Sequence, residues 1–260
     1  MIYELKEYSF GGTIGKGFNL YFDNFLQIFL ISLLCQIPLM LIMPSNNWAA
    51  EPGRVDRAVA YLIQIGIFIL LNIIIQAFLS ACVVSLISQK FLEDSGTVFE
   101  PKFTSILRLI FPVAGLSLLV GLLTFLGGIA LIIPGIIIAL GYSIAVDVMV
   151  IERENIRNSM RRSWELTRGA KGRIFGLLLV AGIIVACIRL PLLYLLQTIF
   201  KKVEFQPYLE MFVSALLEPI YACILVVVYF NLRIKKEGFN IEHLTKQFEL
   251  ANDYGAAVEG

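Results

Sequence analysis

The chain has 260 residues, of which 58% are Ala, Val, Ile, Leu, Met, Phe, Trp, Tyr or Cys and only 16% are Asp, Glu, Lys or Arg. An ordinary soluble domain is about a quarter charged, so this composition excludes a water-soluble globule and leaves a membrane protein. With 21 Lys+Arg against 20 Asp+Glu the net charge is +1, and no basic surplus argues for nucleic acid.

Six apolar runs follow one another, at 25–43, 59–88, 109–131, 136–152, 174–199 and 208–231. Each is near the ~20 residues a helix needs to cross a ~30 Å hydrocarbon core. The expectation is an all-α polytopic membrane protein with six transmembrane helices. One membrane domain covers 1–234, and a short polar tail covers 235–260.

Ahead of the first run, Ile14, Phe18, Tyr21, Phe22 and Phe25 share one helical face and Lys16, Asn19 and Asp23 the other. Glu4, Glu7 and Asp23 precede that run, and it is longer than the apolar stretch of a signal peptide, so a cleaved leader is not expected. The third and fourth runs form one stretch from Leu109 to Ile151 whose only charge is Asp147. This is far too long for one crossing, and Pro134-Gly135 is the expected break. A second lead segment, 99–108, precedes the third run and is interrupted by Pro101.

The clearest lead segment is Asn155 to Arg168. At 100° per residue, Ile156, Ser159, Met160, Ser163, Trp164, Leu166 and Thr167 fall on one arc. Arg157, Asn158, Arg161, Arg162, Glu165 and Arg168 fall on the other. This pattern predicts a helix lying in the membrane interface with Trp164 towards lipid, ended by Gly169 and Gly172. The expected design is three units, each an interfacial helix followed by a membrane hairpin.

Sixteen of the 21 Lys and Arg fall on one side of these six spans, four on the other, and Arg189 inside a span. The rule that positive flanks stay inside predicts a multi-pass protein of the cell membrane with both termini cytoplasmic. Cys35, Cys82, Cys187 and Cys223 all lie in apolar runs without metal-ligand spacing, so no disulfide framework or zinc site is indicated.

Catalysis is not expected. His243 is the single histidine and sits in the polar tail, Asp147 is the single intramembrane aspartate, and there is no glycine-rich phosphate loop. No cofactor is expected either. The polar residues inside spans are Asn72, Gln76, Asp147, Arg189 and Glu218. Charges at membrane depth cost about 3 kcal/mol or more unless paired or hydrated, so they mark either an internal pair that fixes helix order or a ligand site. Arg189 and Glu218 lie at matching depth on neighbouring antiparallel spans and are the expected pair. Asp147 is within reach of the interface or Arg153, and Asn72 and Gln76 share a face as interhelix hydrogen-bonding groups.

From Arg153 to Arg173 there are seven basic residues against Glu154 and Glu165. Such a strip either holds the loop inside or contacts anionic lipid or a partner membrane protein. Its contact candidates are Arg157, Arg161, Arg162, Trp164, Arg168, Lys171 and Arg173.

Two stretches carry a family resemblance. Ile133-Pro-Gly-Ile136, Val148 to Glu152 and Asn158-Ser-Met-Arg-Arg-Ser-Trp-Glu-Leu-Thr-Arg-Gly169 form the first, and Tyr229-Phe-Asn-Leu-Arg-Ile-Lys-Lys-Glu-Gly238 the second. Together they resemble the family named after the membrane domain of glycerophosphodiester phosphodiesterases, with Asn231 where that motif carries aspartate. The resemblance implies the membrane fold. No soluble phosphodiesterase domain accompanies it in this sequence, so it implies no hydrolytic activity. The expected function is that of a non-catalytic accessory or binding protein, engaging anionic lipid or a partner membrane protein, or a second copy of itself, through its interfacial helices. The alternative is a small transporter or permease using Arg189, Glu218 and Asp147.

Overall fold

The computed structural model describes residues 8–41, 55–93, 103–200 and 205–237, and these form ten helices with no strand. In chain order they are α1 (Phe10–Asp23), α2 (Phe25–Leu41), α3 (Val55–Glu93), α4 (Phe103–Ala130) and α5 (Ile132–Gly141). α6 (Ala145–Glu152), α7 (Ile156–Thr167), α8 (Lys171–Ile199), α9 (Gln206–Leu217) and α10 (Pro219–Glu237) follow. Five stretches are long and apolar enough to cross a membrane: Val59–Ser88, Leu109–Ala130, Ile132–Glu152, Lys171–Ile199 and Gln206–Glu237. α1 and α2, bent by 80°, make a sixth when counted together. Apolar side chains point outward from these spans, with Phe111 85%, Ile132 75% and Ile133 71% exposed. Surface of that character is stable against lipid, not water.

α10 runs through the centre of the bundle. Every residue from Val226 to Leu232 is buried, Tyr229 and Asn231 included. α1 lies along it, and Gly17 makes the approach close: a Cβ there would stand 2.5 Å from Ile224 Cγ1 and 3.0 Å from its Cα. α1 begins on Ser9, whose hydroxyl accepts the Gly12 amide at 3.2 Å. The chain turns at Asn24, whose amide donates to the Leu20 carbonyl at 2.8 Å. The apolar stripe of α1 is rotated from the expected one. Thr13, Ile14, Gly17, Leu20 and Tyr21 are buried, while Phe22 is 62% exposed.

Besides a break of the sixth span at Glu218, between α9 and α10, three boundaries depart from the sequence reading. Residues 103–108 continue without interruption into the third span, so they are no separate lead helix, and 99–102 lie outside the described residues. The turn between the third and fourth spans falls at Leu131, three residues before Pro134. Pro134 sits instead in the first turn of α5, where a missing N–H forfeits no helical bond. Gly135 serves the packing: a Cβ on it would lie 2.7 Å from the Gly128 nitrogen, so this hairpin depends on bare backbone touching bare backbone.

The third departure is a break inside the fourth span at Tyr142–Ile144. It leaves carbonyls at the end of α5 without helical partners. Two hydroxyls of α7 meet one of them: Ser163 Oγ and Thr167 Oγ1 donate to the Gly141 carbonyl at 2.9 and 3.1 Å. α6 then ends on Arg153 in the left-handed conformation (φ 55°), and α7 begins on Asn155, whose side chain accepts the Asn158 amide at 2.9 Å. Gly169, at φ +83°, marks the stop after α7, as expected.

Candidate functional site

α7 has the face the periodicity predicts. Ser159, Ser163, Leu166 and Thr167 are buried, and Arg157, Asn158, Arg161, Glu165 and Arg168 are exposed. The buried arc is directed at protein, however. Trp164, expected towards lipid, is half-buried, its ring against Tyr142 (centroids 5.3 Å apart) and beneath Lys171 Nζ (3.3 Å from the ring). Gly141 makes room for it, since a Cβ there would stand 2.3 Å from the indole.

Arg162, expected as a lipid contact, is turned inward as well, and a closed polar ring passes through it. Its Nε is 3.2 Å from Glu152 Oε2, and its Nη2 pairs with Glu237 Oε1. Glu237 Oε2 receives Arg233 Nε at 3.2 Å, and Arg233 Nη1 donates to Tyr229 Oη at 3.0 Å. Tyr229 Oη donates to Glu152 Oε1 at 2.9 Å and closes the circuit. Partial burial opposes the Arg162 charge, but Glu152 and Glu237 outweigh it and hold its pKa above the ordinary value. The ring joins the end of α6, the middle of α7 and the last turns of α10 with two positive and two negative charges.

Tyr229, Arg233, Glu237 and Glu152 belong to the two motifs and add to the site residues expected from the sequence. The signal was there: Tyr229, Arg233 and Glu237 are four apart and so share one helix face.

Beside the ring, α10 closes a second contact. Lys236 Nζ donates at 2.6 Å to the carbonyls of both Glu165 and Arg168, a cation capping the end of α7. Between the α7–α8 turn, the start of α8 and α10 lies a cavity of about 340 Å³. Arg168, Arg173, Lys235 and Lys236 surround it, and Ile174, Leu177, Val228 and Leu232 contribute apolar lining. Arg173 also reaches the Tyr8 carbonyl. Asn231 borders the cavity and explains the departure from the motif. Its Oδ1 accepts the Tyr8 amide at 3.3 Å, while its Nδ2 donates to the Tyr8 carbonyl at 3.1 Å and to Thr13 Oγ1 at 3.3 Å. An ionised aspartate could accept but not donate. Of the other contact candidates, Arg157 points outward and Arg161 pairs with Glu165 at 3.2 Å on the exposed face.

Deeper in the bundle the expected Arg189–Glu218 pair does not form. Arg189 Nη2 donates to Ser214 Oγ at 3.2 Å, one turn before Glu218, and Glu218 Oε2 accepts instead from Gln76 Nε2 of α3. Asn72 and Gln76 do share a face and, with Glu218 and Tyr221, line a cavity of about 280 Å³ that Arg189 does not line. Asp147 lies in α6, inside the fourth span. It is 3% exposed, and its Oδ1 has no hydrogen-bond partner.

Residues 122–250 match the family model described as the membrane domain of glycerophosphoryl diester phosphodiesterase. No curated protein and no solved structure matches the chain. The matched stretch contains the whole ring, from Glu152 to Glu237, and the basic cavity beside it. Over residues 122–250 the chain is thus similar to the membrane domain of glycerophosphoryl diester phosphodiesterase, the family that the motifs at 133–169 and 229–238 resemble.

Proposed function

We propose that this is a non-catalytic membrane protein that binds an anionic phospholipid at the cavity between the α7–α8 turn and α10. The observation that carries the reading is the cavity's two-part lining: Arg168, Arg173, Lys235 and Lys236 are its cationic groups, and Ile174 and Leu177 belong to its apolar part. A phosphate takes charge-assisted hydrogen bonds from the first set. The start of an acyl chain lies against the second, at about 0.8 kcal/mol per buried CH₂. Lys236 and Arg173, bonded to backbone carbonyls, keep the cavity in shape. The surplus of Lys and Arg on this side supports a cytoplasmic location for it, the leaflet where anionic lipid is concentrated.

The test is lipid retention. The protein is purified from native membrane in mild detergent and its residual phospholipid quantified by mass spectrometry, beside an Arg168→Gln/Lys235→Gln variant. Two basic residues are worth about 2 kcal/mol near a charged surface, roughly 30-fold in affinity. Wild type should be enriched in anionic over zwitterionic lipid, and the variant should fall to the composition of the membrane. An unenriched wild type, or an unchanged variant, overturns the reading.

A further inference from the structure

Glu218 sits in the break of the sixth span with no cation in ion-pair contact among the described residues. Its hydrogen-bond partner is the neutral amide of Gln76, and Arg189, held one turn away on Ser214, makes no ion pair with it among the described residues. A carboxylate at this depth is costly until something positive balances it, and breaks in transmembrane helices are where charged ligands are commonly held. The break has a local cause. Pro219 has no N–H to give the Ala215 carbonyl four residues back, and within the break the Leu216 carbonyl accepts the Tyr21 hydroxyl.

The space in front of the carboxylate is built for more than a bare ion. At about 280 Å³ it is far larger than a bare ion requires. Asn72, Gln76 and Ser80 supply hydrogen-bonding groups from one face of α3, and Tyr221 supplies an aromatic ring, while Leu79 and Leu225 make the remaining walls apolar. An alkali ion would leave most of this unfilled and gain nothing from the leucines.

We infer that this cavity binds a small organic ammonium ion, its nitrogen on the Glu218 carboxylate and against Tyr221, its apolar body along Leu79 and Leu225. The site is separate from the lipid cavity: Tyr221 and Lys235 are 14 residues apart on α10, roughly 21 Å of helix. Either reading can fail without the other.

The probe is phenethylammonium, with 2-phenylethanol as its neutral counterpart and sodium chloride at matched concentration. Binding to the full chain in detergent is followed by equilibrium dialysis and by the thermal midpoint. The ammonium ion should bind saturably and raise the midpoint, and the alcohol should bind roughly tenfold more weakly. Glu218→Gln keeps a hydrogen-bonding group of the same size and should abolish the preference for the cation. Leu225→Trp fills the cavity while leaving Glu218 in place, and should lower affinity by roughly tenfold in a variant that still elutes as the native species. No saturable binding to wild type, equal binding of alcohol and ammonium, protection by sodium chloride alone, or an unchanged affinity in natively eluting Glu218→Gln would each overturn the inference.

Discussion

Asn231 shows how much one atom decides in a buried setting. It is 6% exposed and needs a donor and an acceptor at once, because it faces both the amide and the carbonyl of Tyr8. Asn231→Leu should remove the side-chain partner of the Tyr8 amide and leave the Tyr8 carbonyl to Arg173, at a cost of about 1–3 kcal/mol, seen as a lower thermal midpoint in detergent. Gly141 is the converse case, a position that must have no side chain. Gly141→Ala would drive a methyl into the Trp164 ring, at a cost of about 1–3 kcal/mol in overpacking. Acrylamide quenching, measured in a Trp48→Phe background, should report the displaced indole as more accessible. Unchanged quenching together with unchanged stability would contradict the packing described.

Among the elements, α7 was the most legible from sequence, because its residue types alternate with the helical period and the arcs alone sort Ser163 from Arg161. What the arcs could not say was what the apolar side faces. The answer depends on a break in another helix, at Tyr142–Ile144, and the run Gly141-Tyr-Ser-Ile144 carries no proline to announce it. Pro134-Gly135 did announce a break, but a proline in a first turn is compatible with the helix, so the turn formed earlier. Pro219 does mark one. The docking of α7 can be tested on its two anchors. Ser163→Ala/Thr167→Val should strip the Gly141 carbonyl and speed hydrogen exchange across α7 before the rest of the bundle. Arg162→Met and Glu237→Gln should be less than additive in thermal stability, with a coupling of about 1–3 kcal/mol. Strict additivity would remove the ring as a clamp.

At the scale of the whole molecule the spans follow from composition, but their rotation about their own axes does not. The expected pairing of Arg189 with Glu218 rests on matching depth alone, and depth is one coordinate. Rotation directs Glu218 to Gln76 on α3 and leaves Arg189 to Ser214. The ring and its cavity needed the same missing coordinate, since they join α6, α7 and α10 from separate stretches of chain. Orientation is testable directly. A reporter inserted near Gly96 or fused after Gly260 should read cytoplasmic, and one near Asn47 external. An external carboxyl terminus would move the basic cavity to the wrong leaflet.

The most direct test of the lipid reading is native mass spectrometry of the intact protein released from nanodiscs of equal phosphatidylglycerol and phosphatidylcholine. The account predicts an anionic adduct that survives collision energies stripping all other lipid, and its loss in Arg168→Gln/Lys235→Gln. Adducts of both lipids released together, in wild type and variant alike, would contradict it.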